Sequence, residues 1–183
     1  MTISLTGFMG CGKSSVGRRL SALLSCSYAD LDSVIEQTAG RTIPEIFASD
    51  GEAAFRQMEL DALMDMVAQP GKKQPAMILA LGGGTVMTPE CAAMVHEHTV
   101  CIYLRASVDT LVSHLQGETE GRPMLESDMS GNPASRPEAL RQRITELMDI
   151  RSGTYEKTAH IIIDTDGKSI DQIATEIRQS LSL

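Results

Sequence analysis

The 183-residue chain has no tryptophan, and phenylalanine and tyrosine bring its aromatic share to only 3%. A platform for stacking nucleobases is therefore poorly supplied. Positive charge is also short. Sixteen Lys and Arg face 24 Asp and Glu, a net charge of −8. Nucleic acid is not expected as the main partner of such a chain, although a few arginines focused in a cleft still bind small anions. No run approaches the roughly 20 apolar residues of a membrane span, so no membrane partner is expected. The first residues lack the basic stretch of a signal peptide. The four cysteines, Cys11, Cys26, Cys91 and Cys101, have neither metal-ligand spacing nor the look of a disulfide framework. These absences together favour the reducing cytoplasm. What remains, 42% hydrophobic and 22% charged, is the ordinary composition of one globular domain.

The most informative segment that is present runs Gly7-Phe8-Met9-Gly10-Cys11-Gly12-Lys13-Ser14. It follows the apolar run Ile3–Thr6, which reads as a buried strand, and opens a predicted helix over Lys13–Leu24. Strand, glycine-rich turn, Lys-Ser and helix form the context of a phosphate-binding loop. Its backbone N–H groups turn inward on an anion, and the helix N-terminus adds positive potential. Lys13 supplies a charge for the terminal phosphates, and Ser14 a hydroxyl for Mg²⁺.

The rest of the chain alternates strand and helix, which predicts a parallel sheet covered by helices. Further strands are predicted ending at Asp30, over Met77–Leu81, over Val100–Leu104 and over His160–Asp164. Thr88-Pro89, Ser107 and the Ser169–Gln172 capping box mark helix starts. Two stretches break the rhythm, a polar loop at Gln69–Pro75 and a longer one at Gln116–Pro137. The length and place of the second suit a lid.

Several residues could carry chemistry. Asp30 and Asp32 stand at the end of the second predicted strand, where extended alternation would put both on one side of a ligand crevice. Equally, they could form a solvated turn with Asp32 capping a helix from Ser33. Leu81-Gly82-Gly83-Gly84 ends the third strand and allows close backbone approach, or is a plain turn. A nucleotide-hydrolysing motor would often carry an acid there, and no Asn-Lys-x-Asp base-recognition segment exists. Arg56 and Arg151 fall on helices, where a surface charge is the usual meaning. Arg122 falls in the proposed lid, where arginines clamp phosphates or are solvated. The segment His160–Gly167 reads as a core strand running into a turn. None of the four histidines has a second ligand at convincing metal spacing.

Taken in order, these elements resemble the shikimate kinase family, within the small P-loop kinases related to nucleoside monophosphate kinases. The resemblance spans essentially the whole chain. It rests on G-F-M-G-C-G-K-S-S, A-D-L-D, F-R-x-x-E (Phe55, Arg56, Glu59), L-G-G-G, R-P-M-L, and R-x-x-x-Y (Arg151, Tyr155). It implies a three-layer α/β/α fold with a five-stranded parallel sheet. It also implies a single domain over residues 1–183, with a substrate-binding helical region at about 33–62 and a lid at about 116–137.

The implied activity is transfer of a phosphoryl group from ATP to the 3-hydroxyl of shikimate, with Mg²⁺, on the route to chorismate and aromatic amino acids. Gly10, Cys11, Gly12, Lys13, Ser14 and Ser15 would hold the nucleotide, and Ser14 and Asp30 the metal. Asp32 would bind the attacking hydroxyl and take its proton. Arg56, Arg151 and the Gly82-Gly83-Gly84 turn would hold the carboxylate, and Arg122 would close onto the phosphates. Relatives often place an adenine-stacking arginine late in the helix before the lid. This chain has Ser113-His114-Leu115 there, with His114 as the candidate substitute. The residues between Arg151 and Tyr155 are Ser-Gly-Thr rather than the more usual ending in Leu, and Gly153 is expected to loosen its helix slightly. Small-molecule ligands and a monomer are expected. The competing readings are another small-molecule kinase, such as a gluconate kinase, and a nucleotide-binding regulator without catalysis.

Overall fold

In the first strand, β1 (Thr2–Thr6), Ile3, Ser4, Leu5 and Thr6 are all completely buried. A strand covered on both faces belongs to the middle of a parallel sheet. The structure, a computed structural model, describes residues 1–67, 76–116 and 136–182. Four more strands join β1: β2 (Ser27–Asp30), β3 (Met77–Ala80), β4 (Thr99–Arg105) and β5 (Ile161–Asp164). The order is β2-β3-β1-β4-β5, and every pair is parallel. Among the described residues the helices are α1 (Lys13–Leu24), α2 (Leu31–Ala39), α3 (Ile43–Val67), α4 (Pro89–His98), α5 (Val108–Leu115), α6 (Arg136–Thr158) and α7 (Ile170–Ser180).

Alternation in β1 divides the interior. Ile3 and Leu5 enter one core with Leu20 of α1, Leu111 of α5, Ile144 of α6 and Ile177 of α7. The other face packs Leu79, Tyr103 and Tyr155 against Ile35 of α2 and Leu63 of α3. Removing one of these fully buried leucines, as in Leu20→Ala, would cost about 2–5 kcal/mol. On the polar side of β1 the Ser4 hydroxyl bonds the Thr99 hydroxyl at 2.7 Å, tying the sheet to the end of α4.

The chain leaves β1 through α1 toward β2 and leaves β3 through α4 toward β4. Those two helices lie on opposite faces of the sheet. Neighbouring strands whose exits diverge leave a crevice at their carboxyl ends. The loops after β1 and β3 therefore meet at such a crevice.

The structure corrects some local expectations. Helix α2 begins at Leu31, so Asp30 occupies its N-cap and Asp32 its first turn. Strand alternation therefore does not relate the two carboxylates. β5 is an edge strand rather than a core one, and its Ile162 is 40% exposed. Helix α3 bends at Gly51, whose φ of 82° and ψ of 173° interrupt the helix. A side chain there would be strained, so the bend is fixed by the glycine itself. Pro89 opens α4 after Thr88 as expected, although the Thr88 side chain makes no capping bond. Ser169 and Gln172 form the full capping box at α7, and α6 runs unbroken through Gly153. The polar loop after α3 and residues 117–135 of the proposed lid, with Arg122, lie outside the described residues, and Pro137 at the lid's end already belongs to α6.

Candidate active site

The loop from Gly7 to Lys13 wraps over the end of β1 and leads straight into α1. Gly10 adopts a φ of +80°, and an added Cβ would come within 2.9 Å of Leu115. Any other residue type there would be strained at that φ and would have to displace the Leu115 side chain. The Gly10 carbonyl accepts a hydrogen bond from Nδ1 of His114 at 2.8 Å, so the end of α5 grips the loop twice. The Lys13 ammonium donates to the carbonyls of Gly7 at 2.8 Å and Phe8 at 3.0 Å, which folds it across the loop. Cys11 is buried beneath the loop, whereas Ser15 is exposed on α1.

Beside the loop, the Ser14 hydroxyl donates to the Asp30 carboxylate at 2.9 Å, and the Tyr28 hydroxyl reaches the same oxygen at 3.1 Å. The Asp30 side chain makes no cap bond to α2 and is committed to these partners. Asp32, two residues on in the first turn of α2, is largely buried. Burial pushes its pKa up to about 6, the nearby carboxylates of Asp30 and Glu59 push the same way, and Lys13 partly opposes them. Gly82 leaves just enough space for it, since a Cβ there would lie 2.7 Å from Asp32 Oδ1.

The far wall carries two arginines in contrasting states. Arg56, on α3, donates to Glu52 and to Glu59. Glu59 is itself buried and accepts from the Thr85 hydroxyl at 2.6 Å. The Arg56 guanidinium lies against Gly84, where a Cβ would approach it to 2.8 Å. Arg151, on α6, is only 5% exposed. Its guanidinium carbon stands 5.9 Å from the Phe8 ring centroid, and it pairs with no carboxylate among the described residues. One turn later, the Tyr155 hydroxyl donates to the Gly83 carbonyl at 2.5 Å. Burial raises the Tyr155 pKa, so the phenol stays protonated as a donor.

One cavity of about 980 Å³ joins these groups, lined by the phosphate loop, Asp30, Asp32, Arg56, the glycine turn and Arg151. Every described site residue expected from the sequence therefore borders one space, with Arg122 outside the described residues. Sequence reasoning assigned no role to Glu59, Thr85 or Tyr155. Glu59 had a signal in its place one turn after Arg56, and Tyr155 in its place one turn after Arg151. Thr85 had none. Among the described residues no cluster of three or more His, Cys, Asp and Glu could hold a metal ion.

A cavity with an anion-binding loop at one end, a cation at the other and a proton acceptor between them suits phosphoryl transfer between two small molecules. That is the work of a P-loop small-molecule kinase. Comparison with known proteins narrows the class. A family model described as Shikimate kinase matches residues 9–182. A shikimate kinase of Chlorobaculum tepidum is 40% identical over 179 residues, covering 98% of this chain and 89% of its own. The solved shikimate kinase of Acinetobacter baumannii in complex with shikimate superposes with a TM-score of 0.86. It is 30% identical and covers 99% of this chain and 93% of its own. A gluconokinase from Sinorhizobium meliloti reaches a TM-score of 0.56 at 16% identity, covering 99% of this chain and 91% of its own, and shares the fold alone. The chain belongs to the shikimate kinase family.

Proposed function

We propose that this chain transfers the γ-phosphoryl group of ATP to the 3-hydroxyl of shikimate, giving shikimate 3-phosphate and ADP on the route to chorismate. The observation that carries the reading is Arg151, a buried guanidinium bordering the cavity with no carboxylate to neutralise it among the described residues. Leaving a charge in that state is costly unless a ligand completes it. A small substrate with one carboxylate and several hydroxyls does so, and its reacting hydroxyl then points back toward Asp32.

The geometry supports the following roles. Gly10, Cys11, Gly12, Lys13, Ser14 and Ser15 cradle the nucleotide phosphates, with Lys13 turning from its loop carbonyls to the transferring group. Ser14 and Asp30 present hard oxygen donors 2.9 Å apart, a pair that suits Mg²⁺ directly or through water. When bound, the metal neutralises charge on the phosphates. Asp32 accepts the proton of the 3-hydroxyl as its oxygen bonds to the γ-phosphorus, and the bridging oxygen leaves with ADP. Arg56, Arg151 and the N–H groups of Gly82, Gly83 and Gly84 hold the carboxylate. Arg122 would close over the phosphates with the lid. The reading includes a single-domain monomer.

The test measures ADP release by the purified protein with Mg·ATP and shikimate, gluconate or nucleoside monophosphates in turn. Turnover with shikimate alone is expected. Folded protein that releases ADP with gluconate but not shikimate, or with no acceptor at all, would overturn the reading.

A further inference from the structure

Arg56 faces a carboxylate at each of its three guanidinium nitrogens. Glu59 takes Nη1, while Glu52 takes Nη2 at 3.0 Å and Nε at 3.3 Å. The two acids are not equivalent. The Glu59 side chain is 1% exposed and also holds Thr85. The Glu52 side chain is 56% exposed, and its carboxylate has no other partner among the described residues. It follows the bend at Gly51 and reaches forward one helical turn to Arg56. The edge it occupies, Nε with Nη2, is one of the edges by which arginine takes a carboxylate in two parallel bonds. Both bonds end on one Glu52 oxygen, Oε1, so a carboxylate reaching Nη2 from the cavity meets a nitrogen that is already engaged.

We infer that Glu52 is an internal competitor for the acceptor's carboxylate at Arg56, and so sets how tightly that acceptor binds. The inference rests on the reading that Arg56 and Arg151 hold the carboxylate. Binding is then an exchange. The incoming carboxylate takes Nε and Nη2, and Glu52 swings into water, where its charge is well solvated. Glu59 stays, because burial and Thr85 fix it, and it keeps the guanidinium in place against Gly84. An anion that touches Arg56 alone gains little over Glu52 and is poorly held. One that also completes Arg151 gains a contact with which Glu52 does not compete. Glu52 thus acts as a threshold that favours acceptors long enough to span both arginines.

Isothermal titration of shikimate, and separately of its uncharged methyl ester, into the ligand-free full chain tests this. Glu52→Gln keeps the size of the side chain and removes its charge. The variant is expected to bind shikimate about two- to fivefold more tightly than the original chain, the range of an exposed ion pair. Its affinity for the ester should not change. Unchanged or weaker shikimate binding by a variant with an undisturbed circular dichroism spectrum would overturn the inference while leaving the carboxylate clamp standing. An original chain that binds the ester as tightly as shikimate would remove the clamp itself, and the inference with it.

Discussion

Asp32 combines burial with two neighbouring acids, and this keeps its carboxyl protonated up to about pH 6. A general base must be ionised to work, so kcat/KM for shikimate should rise with pH along an acid limb centred near 6 and level off above it. Asp32→Asn should lower kcat by about 10²- to 10⁴-fold and abolish that limb, while ATP affinity changes little. An equal loss of ATP affinity would place Asp32 on the wrong substrate. The sequence marked Asp32 through its spacing from Asp30, for a reason that did not hold, since one ends a strand and the other lies in a helix. It could not separate Arg56 from Arg151. Both read as surface charges on helices, and only the packing of α6 against Phe8 reveals that one is neutralised and the other is not.

The elements themselves were more legible than the contacts between them. The apolar runs of β1, β3 and β4 marked the three inner strands, because strands covered on both faces need continuous hydrophobic sequence, while β2 and β5 at the edges were found from the alternation of strand and helix. The bend at Gly51 was missed, since a lone glycine in a helical pattern carries no sign of whether it is tolerated or used. Helix α6 matters most to the site, because it brings Arg151 and Tyr155 to it on one face, a turn apart. Tyr155→Phe would leave the Gly83 carbonyl without its donor and free the glycine turn to move. The expected results are a loss of about 1–3 kcal/mol in stability and a KM for shikimate raised more than that for ATP. Steady-state kinetics on both substrates, with a urea melt, check this. An equal rise in both would make Tyr155 a general support rather than a guide for the turn.

For the whole molecule, the site and the stability curve share a titrating group. Asp32 holds its proton to about pH 6 when folded, against an ordinary value of 3.8 when unfolded. Between those values the folded state binds more protons, so stability attributable to Asp32 falls as pH rises from about 4 to 6, by roughly 3 kcal/mol. Asp50 and Asp164, held low by arginine partners, act in the opposite sense, so a single melt does not isolate the effect. The difference in unfolding free energy between the original chain and Asp32→Asn does. It should decline across that window, and a flat difference would mean that Asp32 titrates like an exposed acid. The function-bearing form of the site is thus the less stable one.

Gly83 has a further consequence. A methyl group added there would lie 3.3 Å from the Met9 backbone nitrogen of the phosphate loop, while its own carbonyl is held by Tyr155 from the opposite helix. The glycine turn and the phosphate loop therefore meet backbone to backbone, with no side chain between them. The missing side chain at Gly83 works as a gauge block: it sets how closely the glycine turn can settle on the phosphate loop, with Tyr155 holding it from behind.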